Sequence, residues 1–282
     1  MTVILRTEGL NKTYRLGGLG RSRKITALND VNLNVESDSP VIISVVGESG
    51  SGKTTLAKTL LRLVEPSSGR AIVYDKPVAG KGVRPPRREF LASIQPIFQN
   101  PFEAFSRYRP VEAYLRETAT RVAGLNEREA MAAVEQALAA VGLEYVDVRG
   151  KYSNQFSGGE LQRVSIARAL IPQPNLIVAD EPVSMIDASR RMIIINLFLK
   201  LKLEAARSFL YITHDLATAY YISDYVAVMN KGAIVEFGPA REVMSNPQHA
   251  YTRLLLDSIP TTRQKWRREG ERAATGGLAA TS

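Results

Sequence analysis

The 282 residues contain no cysteine, so disulfides and thiolate-held zinc or iron–sulfur sites are excluded. This fits a reducing setting such as the cytosol. Long apolar runs are lacking too. Stretches such as Met192 to Leu199 fall far short of the about twenty residues that span a bilayer, and no signal-peptide pattern opens at Met1. The chain is expected not to cross a membrane itself. Tryptophan is nearly absent: Trp266 sits among Arg263, Lys265, Arg267 and Arg268, with no recognisable nucleic-acid module around it.

What is present is ordinary for a globular protein, with 45% hydrophobic and 23% charged residues over a length that suits one or two domains. The net charge of +9 gathers partly in knots: Arg21, Arg23 and Lys24, then Arg84, Arg87 and Arg88, then the Trp266 cluster. A solvated or membrane-proximal basic face is favoured over nucleic-acid binding.

Along the chain, Val3 to Leu16 predicts a strand and Gly17 to Lys24 a flexible basic loop. Thr26 to Val35 predicts a second strand, and Arg70 to Asp75 and Ile94 to Phe98 two more. From Phe102 to about Ala169 the pattern is helical, with Asn126 and Glu129 as a capping pair, and reads as an insertion between core strands. Leu176 to Glu181 is an apolar strand ending in two carboxylates. A helix follows from about Ser189 to Arg207, then a strand from Phe209 to Thr213. Asn230-Lys231-Gly232 predicts a hairpin turn, and Arg241 to Ser258 a helical region broken near Pro247. Strands alternating with helices imply an α/β fold whose parallel sheet is covered on both faces.

Val41 to Val46 is a buried-strand pattern, and Gly47-Glu48-Ser49-Gly50-Ser51-Gly52-Lys53-Thr54 follows it as G-x-x-x-x-G-K-T, then Thr55, with a helix starting near Gly52. The glycines let backbone N–H groups turn inward around a phosphate, and the helix adds its positive end. Lys53 is expected to reach the β- and γ-phosphates and the Thr54 hydroxyl to ligate Mg²⁺. After its apolar strand, Asp180 suits Mg²⁺ binding and Glu181 suits polarising the attacking water. His214 follows another strand end and is a candidate γ-phosphate contact. Tyr14 reads equally as an adenine-stacking ring and as a packing residue. Ser157-Gly158-Gly159 opens a further helix, a second anion site in a chain that already has one.

Together these segments resemble the ATP-binding cassette (ABC) family of transport ATPases, over roughly Val3 to Gly238. Ser157-Gly158-Gly159-Glu160-Leu161-Gln162-Arg163 is similar to its signature and Gly47 to Thr54 to Walker A. Leu176 to Glu181 is similar to Walker B, Gln99 to the Q-loop, Ser184-Met185-Ile186-Asp187 to the D-loop, and His214 to the switch histidine. The resemblance implies a P-loop NTPase (RecA-like) core with an antiparallel β subdomain and an inserted helical subdomain at about 102–169. Residues 1–259 would form the ATPase domain and 260–282 a basic, flexible tail.

It also implies ATP and Mg²⁺ as cofactors, with Thr54, Gln99 and Asp180 at the metal. Glu181, Gln99 and His214 would serve catalysis. Tyr14, residues 47–55, Ser157, Gly158, Gly159 and Asp187 would contact nucleotide. Expected partners are a second ATPase subunit, head to tail, two transmembrane permease subunits and, indirectly, an extracytoplasmic solute-binding protein, with no nucleic acid. The place of action would be peripheral, on the cytoplasmic face of the inner membrane. Gly47 to Lys53, Glu181-Pro182-Val183-Ser184 and Asn246-Pro247-Gln248-His249-Ala250-Tyr251-Thr252 resemble the oligopeptide/dipeptide importer branch. Oligosaccharide or nickel import is the alternative, and a soluble cassette acting on ribosomes or DNA the alternative of another class. The chain departs from the branch in lacking its terminal cysteine cluster and in the residues Asn100 to Pro110 after Gln99.

Overall fold

The computed structural model describes residues 1–16 and 23–258. Most of the loop expected at 17–24 and all of the tail expected over 260–282 lie outside these residues, while Arg23 and Lys24 belong to a strand. The chain opens with β1 (Thr2–Leu16), β2 (Arg23–Ser37) and β3 (Ile42–Val46), then α1 (Lys53–Leu60). Next come β4 (Ser68–Val73), β5 (Lys76–Gly80), α2 (Arg87–Ser93) and β6 (Ile94–Ile97). The stretch up to the next strand is helical, with α3 (Val111–Glu117), α4 (Glu127–Ala140), α5 (Tyr145–Val148) and α6 (Gly158–Leu170). Then follow β7 (Leu176–Asp180), α7 (Ala188–Glu204), β8 (Ser208–Thr213) and α8 (Leu216–Ile222). The described chain closes with β9 (Tyr225–Asn230), β10 (Ala233–Pro239), α9 (Ala240–Ser245) and α10 (Ala250–Asp257).

Two sheets result. One is four-stranded and antiparallel, in the order β2-β1-β4-β5; the other has six strands, in the order β10-β9-β3-β8-β7-β6. All neighbours in the second sheet are parallel except β10, which returns from β9 through a two-residue turn. Lys231 and Gly232 both have positive φ in that turn, the geometry that matches strand twist in a tight hairpin.

The burial pattern explains the layering. Every residue of β3 and β8 is buried, as a strand covered on both faces requires. Ile42 packs with Phe198 of α7, Phe209 and Tyr211 on one side. Ile43 and Val45 face the other side, where Leu56 and Leu60 of α1 meet Val31 and Leu33 of the antiparallel sheet. Leu56 and Leu60 are wholly buried, each contributing about 2 kcal/mol, so α1 is firmly seated behind the loop that precedes it.

Two elements escape the sequence pattern. The strand expected at Arg70 to Asp75 ends at Val73, because Tyr74 and Asp75 turn at φ 47° and 60° into β5. Helix α2 begins directly after Pro86 and buries only Phe90 among its own residues, too small an apolar face to announce itself.

Candidate nucleotide-binding site

The parallel sheet carries β3 between β8 and β9, with β7 and β6 beyond β8. Ligands in such sheets occupy the crevice at the strands' carboxyl ends. There β3 delivers the loop 47–52, β6 leads to Gln99, β7 ends at Asp180 and Glu181, and β8 leads to His214.

Two loop glycines are required by the fold itself. A Cβ on Gly47 (φ 151°) would stand 2.1 Å from the Met229 carbonyl oxygen, and one on Gly52 (φ 109°) 2.4 Å from that of Ala27. Between them Ser51 is buried while Glu48, Ser49 and Gly50 are exposed. Lys53 Nζ donates to the carbonyls of Gly47 (2.7 Å) and Glu48 (2.8 Å). Burial pushes this ammonium pKa down, against the attraction of Glu181, Asp180 and Glu48.

Thr54, at the mouth of α1, donates through Oγ1 to Asp180 Oδ1 at 3.4 Å, and Thr55 follows half-buried. Burial pushes the Asp180 carboxyl above its usual value, although the Thr54 bond acts the other way. A buried ammonium beside a loop of backbone donors suits an anion, and a desolvated carboxylate beside a hydroxyl suits a hard cation. Among the described residues no group of three or more His, Asp or Glu side chains forms a metal cage. Thr54 and Asp180 offer two oxygen donors of the kind Mg²⁺ takes, an ion that is seldom held by an all-protein cage.

Glu181 is the hub of the catalytic candidates. Its backbone sits in the left-handed region at φ 45°, a strained conformation for a side chain of this size. The Glu181 N–H donates to Ile212 O at 2.9 Å, and Ser184 Oγ donates to the Glu181 carbonyl at 2.9 Å. The carboxylate meets Gln99 Nε2 at 3.3 Å and His214 Nδ1 at 3.2 Å. A carboxylate only accepts, which puts the imidazole proton on Nδ1. Gln99 thus faces Glu181 rather than the Thr54–Asp180 pair.

Ser157 caps α6 in a reciprocal box: its N–H donates to Glu160 Oε2 (2.8 Å), and the Glu160 N–H donates to Ser157 Oγ (3.3 Å). Gly158 and Gly159 have no positive φ, and a Cβ there would meet its nearest neighbours at ordinary distances, Met185 O at 3.5 Å and Arg190 Cδ at 3.8 Å. Neither backbone conformation nor packing within the chain asks for glycine. Among the described residues, no hydrogen bond joins Ser157 to Gly159 with the loop 47–54. Asp187 is exposed and begins α7 without a side-chain cap bond. Tyr14 is half-buried on β1, opposite Ile25, with Lys12 Nζ 5.1 Å from its ring centre. Ala27, two residues beyond Ile25 on β2, is the one whose carbonyl crowds Gly52, so the hairpin abuts the loop.

One contact lay beyond sequence reasoning. Tyr251 Oη, on α10, accepts from the Glu48 N–H at 3.1 Å. The motif around Tyr251 stands out in the sequence, but nothing in it points to a loop 203 residues away.

Residues 28–184 match the family model of the ABC transporter, and 235–280 that of the oligopeptide/dipeptide transporter C-terminal region. The oligopeptide transport ATP-binding protein OppD of Mycobacterium tuberculosis is 39% identical over 261 residues, which are 92% of this chain and 42% of that protein. The chain thus spans about two-fifths of that relative's length. The di/tripeptide transport ATP-binding protein DppF of Pseudomonas aeruginosa is 34% identical over 96% of this chain and 85% of its own. Among solved structures, the dimeric ATP-binding cassette MJ0796 bound to ADP and phosphate matches with a TM-score of 0.70 at 25% identity, over 84% of this chain and 99% of that one. The chain belongs to the ABC transporter family, in its oligopeptide/dipeptide branch.

Proposed function

We propose that the chain is the ATP-binding and ATP-hydrolysing subunit of an importer that drives uptake of oligopeptides or dipeptides through separate membrane subunits. The observation that carries this reading is the Glu181 carboxylate, held between Gln99 and His214 beside the Lys53, Thr54 and Asp180 group. The loop's N–H groups and Lys53 bind the phosphates. Glu181 orients a water towards the γ-phosphorus and accepts its proton; attack forms the new P–O bond, the bond to the bridging oxygen breaks, and ADP and phosphate result. When bound at Thr54 and Asp180, Mg²⁺ supplies neutralising charge to the phosphate oxygens. His214 and Gln99 hold Glu181 in place and would contact the γ-phosphate.

Ser157, Gly158 and Gly159 serve the nucleotide of a second ATPase subunit facing this one head to tail. The support is that glycines unneeded inside the chain leave an open helix N-terminus for an outside phosphate. Asp187 and Tyr14 complete the nucleotide contacts, Tyr14 against adenine. The γ-phosphate would then act as adhesive between subunits, and its loss releases them; only such a difference in affinity between states can move the assembly.

Phe98, Phe102 and Tyr108, close to Gln99 in sequence, are each exposed and would offer apolar surface to one of two permease subunits. Residues 102–169 would act as a helical lever within a cassette of 1–259, with 260–282 as a tail. No described helix is long and apolar enough to cross a membrane, which fits a peripheral subunit on the cytoplasmic face. An extracytoplasmic binding protein would deliver the solute. The peptide assignment rests on the transport proteins matched and on the 235–280 match; these do not favour an oligosaccharide, nickel, ribosome or DNA role.

The test is Glu181→Gln. Equilibrium ATP binding should persist while steady turnover falls at least about 100-fold. Turnover at the native rate would remove Glu181 from its role.

A further inference from the structure

The Asn246 to Thr252 stretch has no part in the chemistry above, yet it is tied down with care. Glu236 on β10 accepts the Gln248 N–H at 2.7 Å and the His249 N–H at 3.0 Å through its two carboxylate oxygens. His249 Nδ1 caps α10 by accepting the Tyr251 N–H at 3.1 Å, and Arg253 Nε donates to the Pro247 carbonyl at 2.9 Å. The Tyr251 ring packs against a cluster that includes Val46, the last residue of β3, and Leu216, the first of α8. This clamp brings the Tyr251 hydroxyl to the Glu48 N–H.

That N–H belongs to the peptide unit whose carbonyl is Gly47 O, and Gly47 O accepts from Lys53 Nζ. One peptide plane is therefore pinned on both edges, by Tyr251 on its N–H and by Lys53 on its C=O. If Lys53 moves to a phosphate, only the tyrosine remains. Gly47 has no Cβ to resist rotation of this peptide. A flip would exchange the two edges, turning the Gly47 carbonyl away from Lys53 and carrying the residues that follow it in the loop out of register.

We propose that Tyr251 is a positioning residue for the phosphate loop: its hydroxyl holds the Gly47–Glu48 peptide in register when Lys53 engages the nucleotide. The proposal rests on the reading of residues 47–54 as the ATP loop. The C-terminal clamp thereby becomes part of the nucleotide site without touching the ligand.

The experiment compares wild type, Tyr251→Phe and Glu236→Ala for ADP and ATP affinity, for kcat, and for hydrogen exchange at the Glu48 amide. Tyr251→Phe keeps the ring and removes only the acceptor. It should weaken both nucleotides about fivefold to tenfold, the range of one lost hydrogen bond, with kcat at saturating ATP within about twofold of wild type and faster exchange at Glu48. Glu236→Ala, which loosens the clamp elsewhere, should move the same readouts in the same direction, and it carries the test should Tyr251→Phe not fold. Native nucleotide affinity in a folded Tyr251→Phe overturns the proposal, as does a loss of kcat with affinity intact. Lys53→Ala separates the two readings. If it binds nucleotide normally, the loop assignment falls and this proposal with it. Lost affinity there beside native affinity in Tyr251→Phe overturns this proposal alone.

Discussion

Asp180 illustrates how the site stores unfavourable electrostatics that a ligand would relieve. Burial raises its carboxyl pKa above the ordinary 3.8, so ionising it costs more in the folded chain than in the unfolded one. That cost is present above the raised folded value and vanishes below the unfolded value. Asp180→Asn should therefore raise the melting temperature of the nucleotide-free chain at pH 7, with the gain shrinking as the pH falls towards about 4, while Mg²⁺-dependent ATP binding weakens. A melting temperature that drops at pH 7, or a gain that grows in acid, would contradict the burial argument. The residues named from sequence are those whose roles are local, strand then loop then helix, and Lys53, Thr54, Asp180 and Glu181 stand together as that logic requires. The left-handed backbone of Glu181 and the reach of Tyr251 to Glu48 were not legible, because each depends on chain distant in sequence.

At the scale of elements, α6 separates two uses of one helix terminus. Ser157 serves the helix itself, through its box with Glu160, whereas Gly158 and Gly159 serve nothing inside the chain. Gly159→Ala should leave the isolated chain as stable as wild type or stabilise it by about 0.5–1 kcal/mol, as the propensity difference suggests, while weakening ATP-driven pairing. A destabilisation measured by urea unfolding would show that the glycine is needed internally after all. The capping pair at Asn126 was visible in sequence since it spans three residues, and Ser157 was visible as the start of a helix, though not its partner Glu160. Strand β5 was not, for Lys76 to Gly80 is short, contains Pro77 and is defined by pairing with β4 rather than by its own pattern.

Across the whole molecule, sheet order puts all the strand-end candidates on one edge, and that much follows from alternating strands and helices. Among the described residues no hydrogen bond joins residues 157–159 to the loop 47–54, and the side-chain bonds of Ser157 go to Glu160 within its own helix. In the proposed assembly two cassettes close on shared nucleotide. Light scattering of the Glu181→Gln chain with and without ATP tests it most directly. The mass should double on adding ATP and return to that of one chain when Ser157→Arg is introduced into the same background, with ATP binding to the single chain retained. A mass that ignores ATP, or a dimer that survives Ser157→Arg, would contradict the claim.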